Sequence, residues 1–283
     1  MADIATRSEH RCCGGTLGFH EHESEALGLP ARFALFRPGT ARGASRPPAL
    51  FCLAGLTCDE TTFATKGNAL RFAAAHGLML VFPDTSPRRA GVPGEDEDWD
   101  LGTGAGFYLD ATAEPWRTHY RMGSYVNDEL PALVEARFGA APGRRGIMGH
   151  SMGGHGALVL ALRDPERWHS VSALAPIAHP AAVPWGHKAF GAYLGPDRDG
   201  WAAHDATLLL RAGHTHPTPI LVDQGDADQF LSEQLRPDAL AEAAEAAGQK
   251  LRLRRHAGYD HSYWFIQSVI EDHVAHHARL LRG

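Results

Sequence analysis

The sequence predicts an α/β fold with a mostly parallel central sheet and helices on both faces. Two continuous apolar segments, residues 49–53 and 78–82, enclose a helix-compatible segment at 61–75, and this order is typical of parallel strands buried on both faces. A third apolar strand, 144–148, leads into a glycine-flanked serine at 149–153 and then into a run of small residues that favours a helix. The 283 residues and 44% hydrophobic content are enough for one large core.

The rest of the chain continues the alternation of strands and helices. We predict further strands at 32–36, 170–174, 219–223 and 251–255, and further helices at 120–138, 152–162, 231–247 and 262–281. A turn is predicted for residues 38–48. Because no linker or repeat interrupts the pattern, we expect residues 1–283 to form a single domain, with insertions near 85–118 and 176–216.

The glycine-flanked serine has the pattern Gly-x-Ser-x-Gly, at Gly149, Ser151 and Gly153. A serine on a sharp strand-to-helix turn has strained backbone angles, and a side chain two residues away would collide with its neighbours, so glycines are needed there. Such a nucleophile elbow exposes the serine hydroxyl and leaves the amide of the next residue, Met152, at a helix N-terminus. The motif therefore indicates an α/β-hydrolase fold in which Ser151 is the nucleophile and Met152 provides half of an oxyanion hole.

In this fold the catalytic acid and then the histidine follow the serine, each on a loop after a later strand. Three aspartates compete for the role of acid at and after the strand 219–223, namely Asp223, Asp226 and Asp228. Asp223 sits at the strand end, whereas the other two lie on the loop, where a carboxylate reaches an imidazole. Asp228 is favoured over Asp226 because it lies farther into the loop, just before the next helix.

Histidine is abundant, with 18 in the chain, so position has to select the general base. His256 ends a strand, and three others are predicted to lie on a helix that faces solvent at least in part, namely His273, His276 and His277. His261 lies on the loop between the last strand and the last helix, which is where a general base belongs. His261 is therefore the predicted base.

The second donor of the oxyanion hole is expected from the loop after the strand at 49–53. Leu56 follows Gly55 in that loop, and its amide is placed to face the amide of Met152. Lipases often carry a run of glycines at this position. The single glycine here indicates a different subfamily.

Two other kinds of site are not favoured. The pairs His20/His22 and His214/His216 could be metal ligands, but no His-Glu-x-x-His motif or paired-cysteine framework accompanies them. The glycines of residues 102–106 resemble a phosphate-binding loop, but no convincing helix and no Lys-Ser or Lys-Thr follow them. We therefore expect neither a metal nor another cofactor, and we interpret these glycines as part of a packed loop near the rim of the site.

Charge and hydropathy limit the partners and the location. The net charge of -6 and the lack of a basic stripe argue against nucleic acid. No apolar run is long enough to span a membrane, and the charged start of the chain lacks the apolar centre of a signal peptide, so we expect a cytoplasmic protein without a membrane partner. The cysteines are expected to be reduced, and they are Cys12, Cys13, Cys52 and Cys58.

Several segments match the pattern of one known family. They lie at residues 54–58, 99–100, 104–108, 149–156, 184–186, 188–190, 223–225, 228–231 and 258–263. On these segments the chain resembles the S-formylglutathione hydrolases, also called esterase D, and the resemblance extends over nearly the whole chain. Leu101, Gly123 and Val183 depart from the usual pattern of the family. These departures affect the expected shape of the substrate pocket more than the expected hydrolytic chemistry.

The resemblance implies a serine hydrolase that cleaves the thioester S-formylglutathione to formate and glutathione through an acyl-enzyme, in formaldehyde detoxification. It implies the triad Ser151, Asp228 and His261. It also implies that the amides of Leu56 and Met152 hold the oxyanion, and that the protein is a homodimer. The alternatives are a general carboxylesterase for short-chain acyl esters and an inactive hydrolase fold used for binding, which the complete triad disfavours.

The substrate pocket is the least specific part of the prediction. The resemblance places Cys58 and Trp185 there, although Cys58 is equally well explained as a small buried apolar residue. Because glutathione carries two carboxylates, a cationic group should bind it. Lys188 is the first choice and Lys66 the second.

Overall fold

The computed structural model describes residues 3–39 and 46–282. In these residues nine strands form one sheet in the spatial order β1-β2-β3-β5-β4-β6-β7-β8-β9. The strands are β1 (Ile4–Cys12), β2 (Gly15–Ser24), β3 (Leu29–Arg37), β4 (Ala49–Leu53), β5 (Met79–Pro83), β6 (Arg145–His150), β7 (Ser170–Leu174), β8 (Ile220–Gly225) and β9 (Leu251–His256). The first three pairs in this order, β1/β2, β2/β3 and β3/β5, are antiparallel. The other five pairs, from β5/β4 to β8/β9, are parallel. The predicted mostly parallel sheet is confirmed.

Helices connect the parallel strands and cover the sheet. They are α1 (Glu60–Lys66), α2 (Leu70–His76), α3 (Met122–Ser124), α4 (Leu130–Arg137), α5 (Met152–Arg163), α6 (Pro184–Tyr193), α7 (Ala206–Arg211), α8 (Pro237–Ala246) and α9 (Tyr263–Leu281). A π-helical segment, Tyr125–Glu129, joins α3 to α4. Helix α5 packs against β4 and β7, while α9 packs against β6, β7 and β8. Within the described residues no helix is both long and apolar enough to cross a membrane.

The strand order reverses where β4 lies between β5 and β6. Leu53 at the end of β4 pairs in parallel register with Gly149 near the end of β6. Ligands of open α/β sheets bind beyond the carboxyl ends of the strands at such a reversal. The loop after β4, residues 54–58, is therefore brought beside Ser151, which follows β6 directly.

The hairpin of β1 and β2 has no clear signal in the sequence. β1 is an edge strand whose residues are mostly exposed and polar, so no alternating apolar pattern marks it. The turn between the strands has positive φ angles at Cys13 (49°) and Gly14 (72°), which is the type I′ geometry favoured in two-residue hairpins. Cys-Gly is not one of the dipeptides that usually indicate this turn.

Two predicted helices are interrupted in the structure. The segment 61–75 forms α1 and α2, because the chain turns through a left-handed residue at Asn68 (φ 56°) between them. The segment 231–247 begins as a π-helical turn and becomes α8 only after Arg236, which has a φ of 54°. The turn predicted at 38–48 falls largely outside the described residues, and the single domain of 1–283 stays a prediction.

Helix α9 faces solvent in part, as predicted, but His273, His276 and His277 lie on its buried side. All three are buried, at 0%, 8% and 0% exposure. His277 lies between two serines of β7, 2.7 Å from Ser170 Oγ and 2.8 Å from Ser172 Oγ. These histidines continue the apolar stripe of α9 at helical spacing. Their burial therefore follows from the 3.6-residue period of the helix, although their side chains are polar.

Candidate active site

Ser151 occupies the sharp turn between β6 and α5. Its φ of 58° and ψ of -119° are strained for a residue with a side chain. A Cβ on Gly149 would lie 2.1 Å from the carbonyl oxygen of Gly153, and a Cβ on Gly153 would lie 2.2 Å from that of Leu53. Both glycines of the motif are therefore required by close backbone contacts, as the sequence predicts.

Asp228 is the aspartate that contacts His261. Its Oδ2 accepts a hydrogen bond from His261 Nδ1 at 2.6 Å and another from Gln224 Nε2 at 3.1 Å. Its Oδ1 accepts a bond of 2.9 Å from the amide of Phe230, and the carboxylate is fully buried. These bonds orient the carboxylate and hold His261 in the tautomer whose Nε2 is free to accept a proton.

The two competing aspartates have other partners. Asp226 is half-exposed and lies 3.6 Å from Arg255. Asp223 is buried between Arg254 and His273, whose Nε2 lies 3.1 Å from Asp223 Oδ2. Burial opposes ionisation of Asp223, but the hydrogen bonds from His273 and Arg254 hold its pKa below the ordinary value. Neither carboxylate is placed to orient His261.

The loop that carries His261 is hydrogen-bonded to the loop that follows β8. The amide of Ala227 donates to the carbonyl of Tyr259 at 2.9 Å. A Cβ on Gly225 would lie 2.3 Å from that same carbonyl oxygen. This close approach brings the acid loop and the histidine loop together, although 33 residues separate Asp228 from His261.

His150 has no distinctive signal in the sequence, yet the centroid of its ring lies 4.6 Å from that of His261. Burial, and then the nearby His261, lower the pKa of His150 well below its ordinary value. Phe230 contacts His261 from another side, with ring centroids 5.1 Å apart. Only the position of His150 next to Ser151 could have indicated this packing.

Ser151 is joined to the pair only through these neighbours. It follows His150 directly, and within the described residues no hydrogen bond of ordinary length links its hydroxyl to His261. Such bonds are often long in unliganded enzymes and tighten when substrate binds. The structure therefore joins Asp228 to His261 and brings Ser151 to the same place through the β6 turn.

The loop at 54–58 lies against the serine. A Cβ on Gly55 would come within 3.1 Å of Ser151 Cβ, so a larger residue would crowd the serine at this close approach. Met152 is the first residue of α5, where the helix dipole is positive. Within the described residues the amide of Leu56 has no hydrogen-bond acceptor, which leaves it available to an oxyanion.

The three residues predicted for the substrate pocket have different surroundings. Cys58 is half-buried on the 54–58 loop, and burial raises the pKa of its thiol. Trp185 is buried and packs on Phe230 with ring centroids 4.8 Å apart, so it is one ring removed from His261. Lys188 is paired with Asp98 at 3.0 Å and Asp100 at 2.5 Å.

The sites that the sequence analysis disfavoured have ordinary structural partners. His20 packs between Phe33 and Phe138, at ring distances of 5.2 and 4.8 Å. His216 Nε2 lies 2.6 Å from the carbonyl oxygen of Trp168. In the described parts of the chain, no group of three or more His, Cys, Asp or Glu side chains is placed to hold a metal ion.

The three glycine amides of the segment 102–106 already donate hydrogen bonds within the protein, so they are not available to a phosphate. Gly102 donates to the Tyr193 hydroxyl at 2.8 Å, and Gly104 donates to Ser86 Oγ at 2.8 Å. The amide of Gly106 donates to the Thr85 carbonyl at 3.0 Å. These glycines serve as a packed loop against the site.

Comparison with known proteins identifies the family. Residues 24–276 match the family described as "Putative esterase". The S-formylglutathione hydrolases of rat and mouse are 48% and 49% identical to the chain over 277 residues, covering 98% of the chain and 98% of each relative. The S-formylglutathione hydrolase structure from Agrobacterium tumefaciens superposes with a TM-score of 0.94 at 46% identity, covering 98% of this chain and 99% of that one. The chain is thus an esterase, and it belongs to the S-formylglutathione hydrolase family.

Proposed function

We propose that the protein hydrolyses S-formylglutathione to formate and glutathione through a formyl-enzyme on Ser151. The observation that carries the proposal is the 2.6 Å hydrogen bond between His261 Nδ1 and buried Asp228, next to the strained Ser151 turn. Its support from relatives is the identity of 48% to 49% over 98% of the chain with enzymes of that name.

The first step is acyl transfer from the thioester to the serine. His261 Nε2 takes the proton of Ser151 as the hydroxyl oxygen attacks the formyl carbon, and Asp228 stabilises the imidazolium that forms. The carbon–sulfur bond then breaks, and the glutathione sulfur leaves as a thiolate or takes the proton from His261. A thiolate is a weaker base than an alkoxide, so this bond breaks easily.

The amides of Leu56 and Met152 hold the oxyanion in both steps. The negative charge forms on the former carbonyl oxygen, and preorganised amides that point at that position stabilise the transition state more than the substrate. Gly55 permits this geometry because a Cβ there would come within 3.1 Å of Ser151 Cβ. The positive end of α5 adds to the stabilisation.

The second step releases formate by water. His261 removes a proton from the water molecule, whose oxygen attacks the formyl-enzyme, and then returns a proton to Ser151 Oγ as the ester bond breaks. The enzyme is restored without any change in oxidation state. The acyl group is a single carbon, so the same site should turn over larger acyl esters less well.

The wider role follows from this substrate. Hydrolysis of S-formylglutathione completes the conversion of glutathione-bound formaldehyde to formate, so we place the enzyme in formaldehyde detoxification in the cytoplasm. We also propose a homodimer, by analogy with the family. Sedimentation equilibrium of the purified protein tests the dimer, and a monomer mass at all concentrations would refute it.

Steady-state kinetics on two substrates test the activity. We expect the kcat/KM for S-formylglutathione to exceed that for p-nitrophenyl acetate by several orders of magnitude. Comparable values for the two would favour a general carboxylesterase for short-chain esters. Labelling by a fluorophosphonate, present in the parent and absent in Ser151→Ala, tests the nucleophile; labelling that persists in the variant would refute Ser151.

A further inference from the structure

The 54–58 loop has one long internal hydrogen bond, from the Cys58 amide to the Gly55 carbonyl at 3.4 Å, and its shorter hydrogen bonds come from the segment 84–108. Tyr108 donates its hydroxyl proton to the carbonyl of Ala54 at 2.9 Å. The amide of Thr57 donates to the carbonyl of Gly104 at 2.9 Å. Both ends of the loop are thus tied to one neighbouring segment.

Thr57 needs this support because its backbone is strained. Its φ is 66°, a left-handed value that a β-branched residue rarely adopts. Gly104 approaches so closely that a Cβ there would lie 3.1 Å from Thr57 Cα. The turn that aims the preceding amide, that of Leu56, is therefore kept in shape by contacts from outside the loop.

The carbonyl of Cys58 receives the strongest of these contacts. Arg88 donates to it from Nη2 at 2.7 Å, and Thr85 donates its hydroxyl proton to it at 2.5 Å. Arg88 is itself fixed by buried Asp84, with Nε 2.9 Å from Oδ2 and Nη2 2.5 Å from Oδ1. A guanidinium held in this way is a rigid, charge-assisted donor.

We propose that Arg88, held by Asp84, is a positioning residue for the oxyanion hole. It fixes the Cys58 carbonyl, and with it the strained turn that directs the Leu56 amide toward the position of the oxyanion beside Ser151. A displacement of about 1 Å at a catalytic group costs up to about a hundredfold in rate. The inference rests on the proposed role of Leu56 but not on the identity of the substrate.

Arg88 also lines a cavity whose lining residues include neither Ser151 nor any residue of the 54–58 loop. The cavity has a volume of about 630 Å³ and is lined by Arg32, Asp84, Arg89 and Thr103 among others. Arg89 lies beside Arg88 in sequence and lines the same cavity, but within the described residues it makes no hydrogen bond to the 54–58 loop. It is therefore a matched control, and the cavity offers free guanidinium a path to the Arg88 position.

The test compares Arg88→Ala and Arg88→Lys with Arg89→Ala. For each variant, kcat and KM are measured on p-nitrophenyl acetate and on its thionoester, in which sulfur replaces the carbonyl oxygen and binds poorly to backbone donors. We expect Arg88→Ala to lower kcat on the oxygen ester about ten- to a hundredfold with little change in KM. The preference of Arg88→Ala for the oxygen ester over the thionoester should fall as well. Arg88→Lys should retain part of the kcat and part of the oxygen preference. Arg89→Ala should match the parent in both.

Chemical rescue provides the second readout. Low concentrations of guanidinium should restore part of the kcat and part of the oxygen preference of Arg88→Ala, and should leave the parent unchanged. Thr85→Val removes the other donor to the Cys58 carbonyl and is a milder variant. It replaces Arg88→Ala in the test if that variant does not fold, and it should shift the oxygen preference in the same direction. All assays run well below the thermal midpoint of each variant.

Two results would overturn the proposal. One is an oxygen-to-sulfur preference equal to that of the parent in Arg88→Ala, or in Thr85→Val where Arg88→Ala does not fold, whatever the loss of kcat, because the hole would then be intact. The other is an equal effect of Arg89→Ala. Failure of the parent to hydrolyse S-formylglutathione would refute the proposed function alone, since these assays need only esterase activity and Ser151.

Discussion

The carboxylate of Asp228 lies 2.6 Å from His261 Nδ1, and the same carboxylate accepts two further hydrogen bonds, from Gln224 on β8 and from the amide of Phe230 on its own loop. The acid is therefore oriented before it meets the histidine. Because the pair is nearly excluded from water, with 0% and 11% of the two side chains exposed, charge on the imidazole is felt strongly by the carboxylate. This relationship distinguishes Asp228 from its neighbours.

Asp228→Asn should lower kcat by about 10⁴-fold, because the amide favours the wrong tautomer of His261 and no longer stabilises its charged form. Asp226→Asn should stay within about twofold of the parent, since the half-exposed Asp226 carboxylate lies 3.6 Å from Arg255 in an ion pair of little energetic weight. Steady-state kinetics on either ester or thioester measure both. A severe defect in Asp226→Asn would show that the acid has been assigned to the wrong residue.

Asp223→Asn should affect stability and not catalysis. It removes one charge from a buried contact with Arg254 and His273, and breaking such a pair costs about 3 kcal/mol of unfolding free energy. Urea unfolding should reveal this loss, while kcat measured well below the midpoint stays close to that of the parent. A fall in kcat without a fall in stability would contradict this assignment.

Gly149→Ala should destroy the serine turn. Its Cβ would lie 2.1 Å from the Gly153 carbonyl oxygen, so we expect a stability loss of about 2–3 kcal/mol and fluorophosphonate labelling slower by about a hundredfold. Gly191→Ala in α6 is the control, because nothing lies within 4 Å of its Cβ position. That change should leave labelling intact and add up to about 1 kcal/mol of stability through helix propensity.

Acid should destabilise the fold through its buried histidines. Burial lowers the pKa of His155 and of His276 to about 4, whereas an unfolded histidine titrates near about 6.5. Between these values only the unfolded chain binds the proton, so unfolding free energy rises with pH and is lost on acidification, by about 1.4 kcal/mol per pH unit for each such histidine.

Unfolding curves at a series of pH values from 7.5 to 5 measure this slope. His276→Gln keeps a donor for the Val171 carbonyl, which lies 3.1 Å from His276 Nε2, and should flatten the slope. His10→Gln, at an exposed position, is the control and should leave it unchanged. Equal slopes in the parent and in His276→Gln would exclude His276 as a source of the dependence.

Lys188→Met tests whether this lysine binds a carboxylate of the substrate. Its hydrogen bonds to Asp100 and then Asp98 raise its pKa and already partner its charge. If it nonetheless binds glutathione, KM for S-formylglutathione should rise several-fold while KM for p-nitrophenyl acetate stays constant. Lys250→Met serves as a surface control, and unchanged KM values in Lys188→Met would remove Lys188 from the pocket.

The sequence by itself determined the positions of the parallel strands along the chain, the serine turn and the loop of His261. These features depend on local patterns, namely apolar runs, a glycine two residues either side of a serine, and a position between the last strand and the last helix. Contacts within a few residues suffice to specify them. The family resemblance rests on the same motifs and is confirmed at 48% identity.

The sequence ranked Asp228 first, but only the tertiary structure shows that it is the aspartate in contact with His261, that α9 buries its histidines, and that Arg88 binds the Cys58 carbonyl. Each depends on residues far apart in the chain, such as Asp228 and His261 or Arg88 and Cys58. A polar side chain in a sequence carries no mark of the partner that will satisfy it. That partner is selected when packing brings the two together, because a buried polar group must then be paired.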